Sequence, residues 1–497
     1  MKAVARWSLP VWALVSVTPL LGLRRRPAEV YLGALNPLKR GSLVNTHGPH
    51  LSTRDGHLCF DDVDLVELAE RLPTPFFVYS AGRIAENVAT LRDAFQSRHP
   101  KTEVFFASKA CSALWVLEQV KKAGVSVEVN SGGELWKALR VGFTGGQIVF
   151  NGVAKTRGEI EAAVTAGIRA IVVDSFRELE RVNEVATDVG RPADVALRID
   201  VRVPTETHPE MRTAHGGKFG VDLIDAAELF ANACSLGPVK VRGLHLHIGS
   251  QITSVEPYGR AVEKALDLVE QLEASCGEPL DFLDIGGGYP VPYVDAADAC
   301  DAADYFCATT MPHDYAEAIC ALVGARCPDL TLFIEPGRYV VADAAVLVSR
   351  VESEKRKRLL DASDHPVGDE HWLLLDCGYH TLLEAAVMQW RYRTVSASRA
   401  GEPPDASFRL GGPLCDSADV HIGDRGTLYS RLPLATSIGD VIVFRDVGAY
   451  ALDTMTQYNG RPRAGAYAVE DGRVVVILRP ETNEDLVAQD VWPAEPL

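Results

Sequence analysis

From Pro75 onward, short runs rich in β-branched and aromatic residues alternate with longer amphipathic segments such as Ala113–Ala123 and Gly133–Val141. This alternation is typical of parallel strands, because each parallel crossover needs a connection long enough to hold a helix. The predicted strands are Phe76–Tyr79, Val104–Ala107, Ser126–Val129, Ile148–Asn151, Ala170–Asp174, Val195–Ile199, Gly243–Ile248, Phe282–Ile285 and Leu332–Ile334. About eight such units predict an α/β fold with a (β/α)8 TIM-like barrel.

The pattern changes after about residue 340, where β-type runs follow one another with turns between them. A chain of 497 residues is also long for one core, so two folded domains are expected. The β-type runs are Ala345–Val351, Trp372–Leu375, Val441–Phe444 and Arg473–Ile477. We therefore predict an N-terminal extension or leader (1–50), a lead-in (51–74) whose Leu58–Phe60 adds a strand to the β domain, a barrel (75–340) and a C-terminal all-β domain (341–497).

Acidic side chains outnumber basic ones, 67 against 50, for a net charge of −17. Such a charge repels nucleic acid and anionic lipid, so neither is an expected partner. The dense basic runs, Arg24–Arg26 and Lys355–Arg358, are expected to be solvated. The ten cysteines show no Cys-x-x-Cys spacing, so we expect no metal site and reduced thiols, as in a cytoplasmic protein.

The stretch Trp7–Leu23 is almost wholly apolar, with Lys2 and Arg6 before it and three arginines after it. It resembles a signal or membrane anchor, but two prolines interrupt it and it is short for the ~20 residues that span a bilayer. A dispensable leader or over-extended reading frame and a real signal both stay open. We expect a cytoplasmic protein that contacts membrane only if this segment is retained.

Candidate catalytic residues follow the predicted strands at their carboxyl ends, where barrel enzymes carry their chemistry. They are Lys109, Ser131–Glu134, His247, Gly286–Gly288 and Glu335–Arg338. Lys109 follows an apolar strand, and partial burial there would lower its pKa and free its amine to form an imine. Taken alone, a lysine at the end of a strand is more often a surface lysine than a catalytic one.

Gly286–Gly288 directly follows the predicted strand Phe282–Ile285, and backbone N–H groups without side chains can close around a phosphate. A plain glycine turn is the alternative, and Asp284 is expected to bond a neighbouring backbone group. Glu335-Pro336-Gly337-Arg338 offers a carboxylate and a guanidinium at one strand end. A carboxylate beside a pyridine nitrogen would keep that ring protonated and make it a stronger electron sink.

His245 and His247 alternate along one predicted strand, so we expect them to point to opposite faces. We assign the barrel mouth to His247, whose ring could stack on a cofactor, and a structural role to His245. Ser250, in the loop that follows, is a candidate phosphate ligand.

The second predicted domain contributes Cys415 and Asp416, which follow two glycines, Gly411 and Gly412. A thiol can donate a proton to a carbanion, and a nearby carboxylate can hold a substrate ammonium group. A buried structural cysteine is the alternative.

These blocks occur together and in a fixed order: Ala-Ser-Lys-Ala-Cys-Ser, Ser-Gly-Gly-Glu-Leu, His-Gly-Gly-Lys-Phe-Gly, His-Leu-His-Ile-Gly-Ser-Gln, Asp-Ile-Gly-Gly-Gly-Tyr, Glu-Pro-Gly-Arg, Cys-Asp-Ser-Ala-Asp, Gly-Ala-Tyr and Tyr-Asn-Gly-Arg-Pro. In this series the chain resembles the fold-type III decarboxylases that use pyridoxal 5′-phosphate (PLP), most of all diaminopimelate decarboxylase and more distantly ornithine decarboxylase. The resemblance runs from about Thr74 to Val469.

The resemblance implies that Lys109 binds PLP as a Schiff base, that His247 lies against the ring and that Glu335 pairs with the pyridine nitrogen. It implies a phosphate site made by Ser250, Gly286, Gly287, Gly288, Gly337, Arg338 and Tyr450. Family members pair head to tail, which implies a homodimer in which Cys415, Asp416 and Tyr450 complete the neighbouring active site. The expected reaction is loss of CO2 from Cα of an amino acid, with Cys415 as the proton donor.

The departures from the family pattern fall on the substrate side. Diaminopimelate decarboxylases usually carry Arg-Pro where this chain has Glu384-Ala385, Glu where it has Asp416, and Asn-Asp where it has His380-Thr381. The expected substrate contacts are Arg338, Asp416, Glu384 and Tyr450. The carboxylates of Glu384 and Asp416 suit a substrate with a cationic distal group, or a larger specialised amino acid. Arg391 and Arg393 are candidates to replace the missing arginine, which keeps meso-diaminopimelate open.

The motifs argue against two other functions on the same barrel. Amino-acid racemases on the same barrel place arginine against the pyridine nitrogen, and Glu335 argues against that activity. An inactive regulator related to ornithine decarboxylase is the other alternative, and Lys109, the glycine run and Cys415 argue against it.

Overall fold

The first described segment is a small antiparallel sheet. A computed structural model of the protein describes residues 48–214, 216–276, 279–294, 304–423 and 427–494. Strands β1 (Leu51–Arg54), β2 (His57–Phe60) and β3 (Val63–Asp64) pair in that order, and Asp64 caps helix α1 (Leu65–Arg71). Leu58 and Phe60 share a hydrophobic core with the β domain. The lead-in therefore packs on that domain, and its strand Leu58–Phe60 belongs to a separate three-stranded sheet rather than to the nine-stranded sheet of the β domain.

The next strand, β4 (Phe76–Ser80), also belongs to the β domain rather than to the barrel. It pairs antiparallel with Ala345–Val348 and parallel with Gly465–Val469. The interpretation of Phe76–Tyr79 as a barrel strand is wrong. All five residues of β4 are buried, and an apolar run of this kind does not reveal which of two cores it enters.

Eight parallel strands form the predicted barrel, which closes because the first strand pairs with the last. They are β5 (Thr102–Ala107), β6 (Ser126–Val129), β7 (Ile148–Phe150), β8 (Ala170–Val173), β9 (Ala193–Asp200), β11 (Val239–His245), β12 (Phe282–Asp284) and β13 (Thr331–Ile334), with a two-residue β10 (Val221–Asp222) paired to β9. The α/β barrel prediction is confirmed.

Helices connect these strands and cover the barrel. They are α2 (Ala81–Gln96), α3 (Leu114–Lys122), α4 (Gly132–Val141), α5 (Arg157–Ala166), α6 (Phe176–Val189), α7 (Leu223–Cys234), α8 (Glu256–Cys276), α9 (Pro312–Arg326) and the single-turn α10 (Arg338–Val341). Ser80, Ser131, Thr156 and Ser175 each cap the helix that follows, by accepting a backbone N–H on the side-chain oxygen. Such caps fix where each strand–helix loop ends, and these loops carry the candidate site.

The β domain follows α10. Its strands are β14 (Ala345–Leu360), β15 (Pro366–Leu375), β16 (Thr394–Ser396), β17 (Ala406–Gly411), β18 (Ser430–Leu432), β19 (Val441–Arg445), β20 (Gly465–Glu470) and β21 (Arg473–Leu478), and its helices are α11 (Leu383–Val387), α12 (Ala451–Thr454) and α13 (Asn483–Leu486). Lys355–Arg358 lies in the exposed part of β14, as expected for a solvated run.

Two expectations concern the chain's environment. Cys307 forms a disulfide, so the expectation of reduced thiols is wrong at that residue. The segment Trp7–Leu23 and the run Arg24–Arg26 lie outside the described residues. Within the described residues, no helix has both the length and the apolar composition needed to cross a membrane.

Candidate active site

Lys109 lies in a tight turn, Ser108–Ala110, directly after β5. Ser108 and Ala110 are buried, whereas the Lys109 side chain between them is exposed. Ser108 donates a hydrogen bond of 2.6 Å to Glu134, and Ala110 accepts one of 2.6 Å from the backbone N–H of Tyr450. The turn is therefore held from the barrel on one side and from the β domain on the other.

The surroundings of Lys109 are acidic. Although the side chain as a whole is exposed, desolvation at the amine end lowers its pKa; attraction to Glu128, Tyr450 and Glu335 outweighs this, and the pKa is raised. This differs from the expectation that burial alone would lower it. Within the described ranges, Nζ makes no hydrogen bond or ion pair. A cationic amine thus lies among carboxylates without a fixed partner.

The glycine run packs too closely for any side chain. A Cβ on Gly287 would lie 2.1 Å from the Glu335 carbonyl oxygen, and one on Gly288 would lie 2.3 Å from that of Gly249. Gly286 and Gly288 have φ of +68° and +114°. Asp284 accepts the Gly286 N–H at 2.9 Å, the backbone role expected of it. The run therefore brings bare backbone against the end of β13 and the loop after β11.

Backbone donors collect beside this run. Among the residues that the structure describes, the N–H groups of Gly288, Gly337 and Arg338 donate no hydrogen bond. Ser250 Oγ lies 3.5 Å from Arg338 Nε, and a Cβ on Gly337 would lie 3.0 Å from that of Ala110. Unpaired N–H groups, a hydroxyl and a cation are the donor set that a phosphate group requires.

Glu335 occupies a buried, hydrogen-bonded position at the end of β13. Asn151 donates to Oε1 at 2.6 Å, and His245 Nε2 lies 3.4 Å from Oε2. Burial raises the pKa of Glu335, but His245 and Asn151 together lower it to about 2. Burial and repulsion by Glu335 raise the pKa of Asp284 well above its usual value. The pKa values of the two carboxyl groups are therefore shifted in opposite directions, which favours the negative charge on Glu335.

One ligand-type atom each from His245, Asp284 and Glu335 lies within 4.8 Å of the other two. A metal ion can use such spacing, but the geometry of the cluster is also explained without one, by the hydrogen bonds that Asn151 and His245 make to Glu335. The cluster fits a hydrogen-bonded support for the Glu335 carboxylate better than it fits a metal site.

The two histidines do not divide between opposite faces as expected. β11 ends at His245, so the alternation of a strand does not continue to His247. Burial lowers the pKa of both rings, and both experience the charges of Lys109 and Glu335. His247 Nδ1 accepts the Gly287 N–H at 3.3 Å. His245 is buried and contacts Glu335 and Asn151, and the structural role assigned to it stays a prediction.

Sequence reasoning missed three polar residues of the barrel interior, Asn151, His245 and Glu128. Glu128 pairs in register with Ala107, two residues before Lys109, and it is fully buried. Burial raises the pKa of Glu128 to about 8. Asn151 ends its predicted strand and Glu128 is the next-to-last residue of its own, so a position near the carboxyl end was the signal for these two, whereas His245 ends the observed β11 but not the predicted strand.

Arg338 is enclosed on all sides. Its guanidinium lies 4.4 Å from the centre of the Trp390 ring and 4.7 Å from that of Tyr450. Nη1 donates to the Tyr293 hydroxyl at 3.0 Å, and Nη2 lies 3.3 Å from Glu384 Oε1. Arg338 and Glu384 are both buried. The cation is therefore stacked, hydrogen-bonded and neutralised within the chain.

Glu384 has a second partner, since the Tyr392 hydroxyl donates to its Oε2 at 3.1 Å. The two arginines considered as replacements for the family's arginine are also paired. Arg391 contacts Asp304 at 2.7 Å, and Arg393 contacts Asp446 at 2.8 Å. Neither arginine forms an ion pair with Glu384. Each already has an acidic partner of its own.

Cys415 and Asp416 lie on the β domain. Cys415 is exposed, and its backbone N–H donates to Asn459 at 2.7 Å. The Tyr379 hydroxyl donates to Asp416 at 2.8 Å, and the Ala418 N–H, followed by Tyr379, lowers the pKa of Asp416. Asp416 lines a cavity of about 700 Å³ whose walls come from the β domain. Within the described part of one chain, no hydrogen bond or ion pair joins either residue to the barrel site.

The residues around Lys109 fit PLP. The unpaired amine of Lys109 suits its aldehyde, the N–H groups beside Ser250 suit its phosphate, and the Glu335 carboxylate suits a basic ring nitrogen. The close packing of Gly287 against Glu335 brings the carboxylate and the phosphate donors together.

Comparison with known proteins gives the same family. The family model for the pyridoxal-binding domain of pyridoxal-dependent decarboxylases matches residues 81–342. The diaminopimelate decarboxylase of Archaeoglobus fulgidus is 32% identical over 447 residues, which are 89% of this chain and 99% of that protein. The diaminopimelate decarboxylase of Pseudomonas aeruginosa is 34% identical over 88% of this chain and 97% of its own length.

Solved structures agree with this assignment. Diaminopimelate decarboxylase from M. jannaschii in co-complex with L-lysine shares 31% identity and a TM-score of 0.79, covering 90% of this chain and 98% of that one. SrLDC in complex with PLP and cadaverine shares 27% identity and a TM-score of 0.67, covering 82% and 93%. The chain belongs to the family of PLP-dependent amino-acid decarboxylases.

Proposed function

We propose that this decarboxylase acts on an amino acid whose distal end is cationic and lacks a carboxylate. The observation that carries the proposal is the pairing of Glu384 with Arg338 at 3.3 Å. A distal carboxylate would have to displace Glu384 from the guanidinium or lie beside its negative charge. A distal ammonium group would instead meet Glu384, surrounded by aromatic rings that also attract cations.

Residues of the barrel site would hold and activate the cofactor. Lys109 would bind it covalently, Glu335 would contact its ring nitrogen and His247 would lie against its ring. Phosphate would be held by Ser250, Gly286–Gly288, Gly337, Arg338 and Tyr450. When bound, PLP acts as an electron sink for the carbanion left when CO2 departs. The ionised Glu335, held by Asn151 and His245, supports that role by keeping the ring nitrogen protonated.

The remaining roles would fall to the second domain. Cys415 would donate the proton that replaces the lost carboxyl group, and Asp416 and Glu384 would contact the substrate. Within the described residues of one chain, neither Cys415 nor Asp416 is joined to Lys109 by a hydrogen bond or ion pair, which supports a site completed by a partner. A head-to-tail homodimer meets this requirement, since a two-fold axis completes both sites at once.

The substrate is tested by measuring CO2 release from meso-diaminopimelate, lysine, ornithine and arginine with purified enzyme. A charge-assisted contact is worth ~1.5–3 kcal/mol, so the preferred cationic amino acid should exceed meso-diaminopimelate in kcat/KM by at least about tenfold. Faster turnover of meso-diaminopimelate than of every cationic amino acid would contradict the proposal.

The second candidate substrate is meso-diaminopimelate itself. It is favoured by the names of the relatives, which are diaminopimelate decarboxylases of 31–34% identity over most of the chain. The arrangement compatible with it has the distal carboxylate at Arg338 and the distal ammonium at Glu384, so that the ion pair opens to receive a zwitterion. The same four-substrate measurement separates the two candidates.

The homodimer is tested by mixing two inactive variants, Lys109→Ala and Cys415→Ala. If subunits exchange freely, half of the dimers are mixed and each has one intact site, so activity should return to about a quarter of the wild-type value. Exchange is monitored with a tag on one variant. Mixed dimers that stay inactive would contradict shared sites.

A further inference from the structure

We propose that Asp453 is a positioning residue of the cofactor site, acting through Ser112 on the turn that carries Lys109. The carboxylate accepts the Ser112 backbone N–H at 2.9 Å on Oδ2 and the Ser112 hydroxyl on Oδ1. Asp453 belongs to α12 in the β domain, whereas Ser112 lies in the barrel, three residues after Lys109. One side chain therefore joins the two domains next to the reactive lysine.

The directions of these hydrogen bonds are fixed by chemistry. Lys137 Nζ donates to Ser112 Oγ at 2.6 Å, and an ammonium group can only donate. The Ser112 hydroxyl accepts that bond and directs its own hydrogen to the carboxylate of Asp453. Ser112 is buried, so its three polar contacts are all made within the protein. This series of hydrogen bonds holds the Ser112 side chain in the rotamer that satisfies both Lys137 and Asp453.

A second hydrogen bond joins the same two segments, this time between their backbones. The Tyr450 N–H donates to the Ala110 carbonyl at 2.6 Å, one residue after Lys109. Two pairs of anchor points, Ala110 with Tyr450 and Ser112 with Asp453, hold the two segments in a fixed register. Tyr450 also has φ of +66°, a left-handed conformation that a non-glycine residue keeps only when its neighbours hold it.

The consequence concerns two groups that contact the cofactor in the proposed function. If Asp453 releases Ser112, the Lys109 turn and the Tyr450 segment lose their shared register, and the amine and the phosphate site lose their fixed separation. We expect PLP binding to suffer before global folding does, because the barrel core does not include the Asp453 side chain.

The experiment measures the dissociation constant of PLP for the apoenzyme, from its absorbance near 420 nm, a region typical of Lys–PLP imines. Asp453→Ala and Ser112→Ala should each weaken PLP binding by about tenfold. The double variant should bind PLP no more weakly than Asp453→Ala alone, because Asp453→Ala already removes both hydrogen bonds to Ser112. Asp453→Asn, which keeps one acceptor, should restore part of the affinity and serves as the main variant if Asp453→Ala does not fold.

The matched control is Asp485→Ala, which removes a carboxylate that also accepts several hydrogen bonds, from Arg479 and Thr482. It should leave PLP affinity unchanged. A purely structural role for Asp453 predicts a lower unfolding temperature with PLP affinity within twofold of wild type, and that result would overturn the proposal. Independent, multiplying losses in the double variant would also overturn it.

Discussion

The cofactor half and the distal half of this active site are built in different ways. The cofactor half relies on backbone: glycines that admit no Cβ, unpaired N–H groups, and a carboxylate held by Asn151 and His245. The distal half relies on side-chain pairing, in which Glu384 neutralises Arg338, and Asp304 and Asp446 neutralise Arg391 and Arg393. Backbone geometry tolerates little change, whereas paired side chains can be exchanged for others. The difference explains how one family scaffold can keep its cofactor while its substrate varies.

The largest effect should come from Lys109, on which the cofactor half depends. Lys109→Ala removes the amine that we propose binds PLP, and we expect at least about a thousandfold loss of kcat with loss of the absorbance near 420 nm. Measurement of both on the purified variant checks this. Lys101→Ala, which removes an exposed lysine paired with Asp329, is the control and should leave both unchanged. A persistent 420-nm band in Lys109→Ala would assign the cofactor to another residue.

The next effect tests whether the closely packed backbone of Gly286–Gly288 shapes the cofactor site. Gly287→Ala places a Cβ 2.1 Å from the Glu335 carbonyl oxygen, and backbone atoms there cannot move aside cheaply. We expect a cost of about 2–4 kcal/mol, seen as weaker PLP binding or a lower unfolding free energy. Gly324→Ala in α9, where a Cβ meets nothing within 4 Å, is the control. Normal PLP binding and stability in Gly287→Ala would refute the close packing.

Glu128 provides a pH-dependent test of the same half. Its folded pKa of about 8 lies above the ordinary value of 4.5, so the folded state binds more protons than the unfolded chain. Stability due to this group therefore falls as pH rises between these values, with a slope of at most about 1.4 kcal/mol per pH unit. Glu128→Gln does not titrate, and its stability relative to wild type should increase from pH 5 to pH 8.

Denaturant unfolding of Glu128→Gln and wild type at both pH values checks this expectation. Glu118→Gln, on the exposed face of α3, is the control and should follow wild type. If the free energies of unfolding of Glu128→Gln and wild type differ by the same amount at pH 5 and pH 8, Glu128 has an ordinary pKa and the expectation is contradicted.

The smallest effect is expected at the rim of the distal half. The pair Arg391–Asp304 is partly exposed, and such ion pairs contribute ~0–1 kcal/mol. Arg391→Gln should therefore change kcat/KM by less than about fivefold for every substrate. A large loss confined to meso-diaminopimelate would instead show that Arg391 leaves Asp304 and holds the distal carboxylate.

The comparison also shows which parts of the molecule the sequence could predict. Strand periodicity identified all eight barrel strands, and contiguous motifs identified Lys109, the glycine run and Glu335–Arg338 because their chemistry is local. It misassigned Phe76–Tyr79, since a fully buried strand carries no sign of which core it enters. The sequence could not predict that Arg391 pairs with Asp304 or that Trp390 stacks on Arg338, because these contacts join residues from distant segments.

The most direct test of the difference between the two halves is the ratio of kcat/KM for meso-diaminopimelate to that for the preferred cationic amino acid, in wild type and in Glu384→Gln. Removing the carboxylate frees the guanidinium of Arg338 and leaves the glycine run and the backbone N–H groups of Gly337 and Arg338 in place, so the ratio should rise at least about tenfold while the PLP dissociation constant stays within twofold. An unchanged ratio would contradict the account, because Glu384 would then have no part in choosing the substrate.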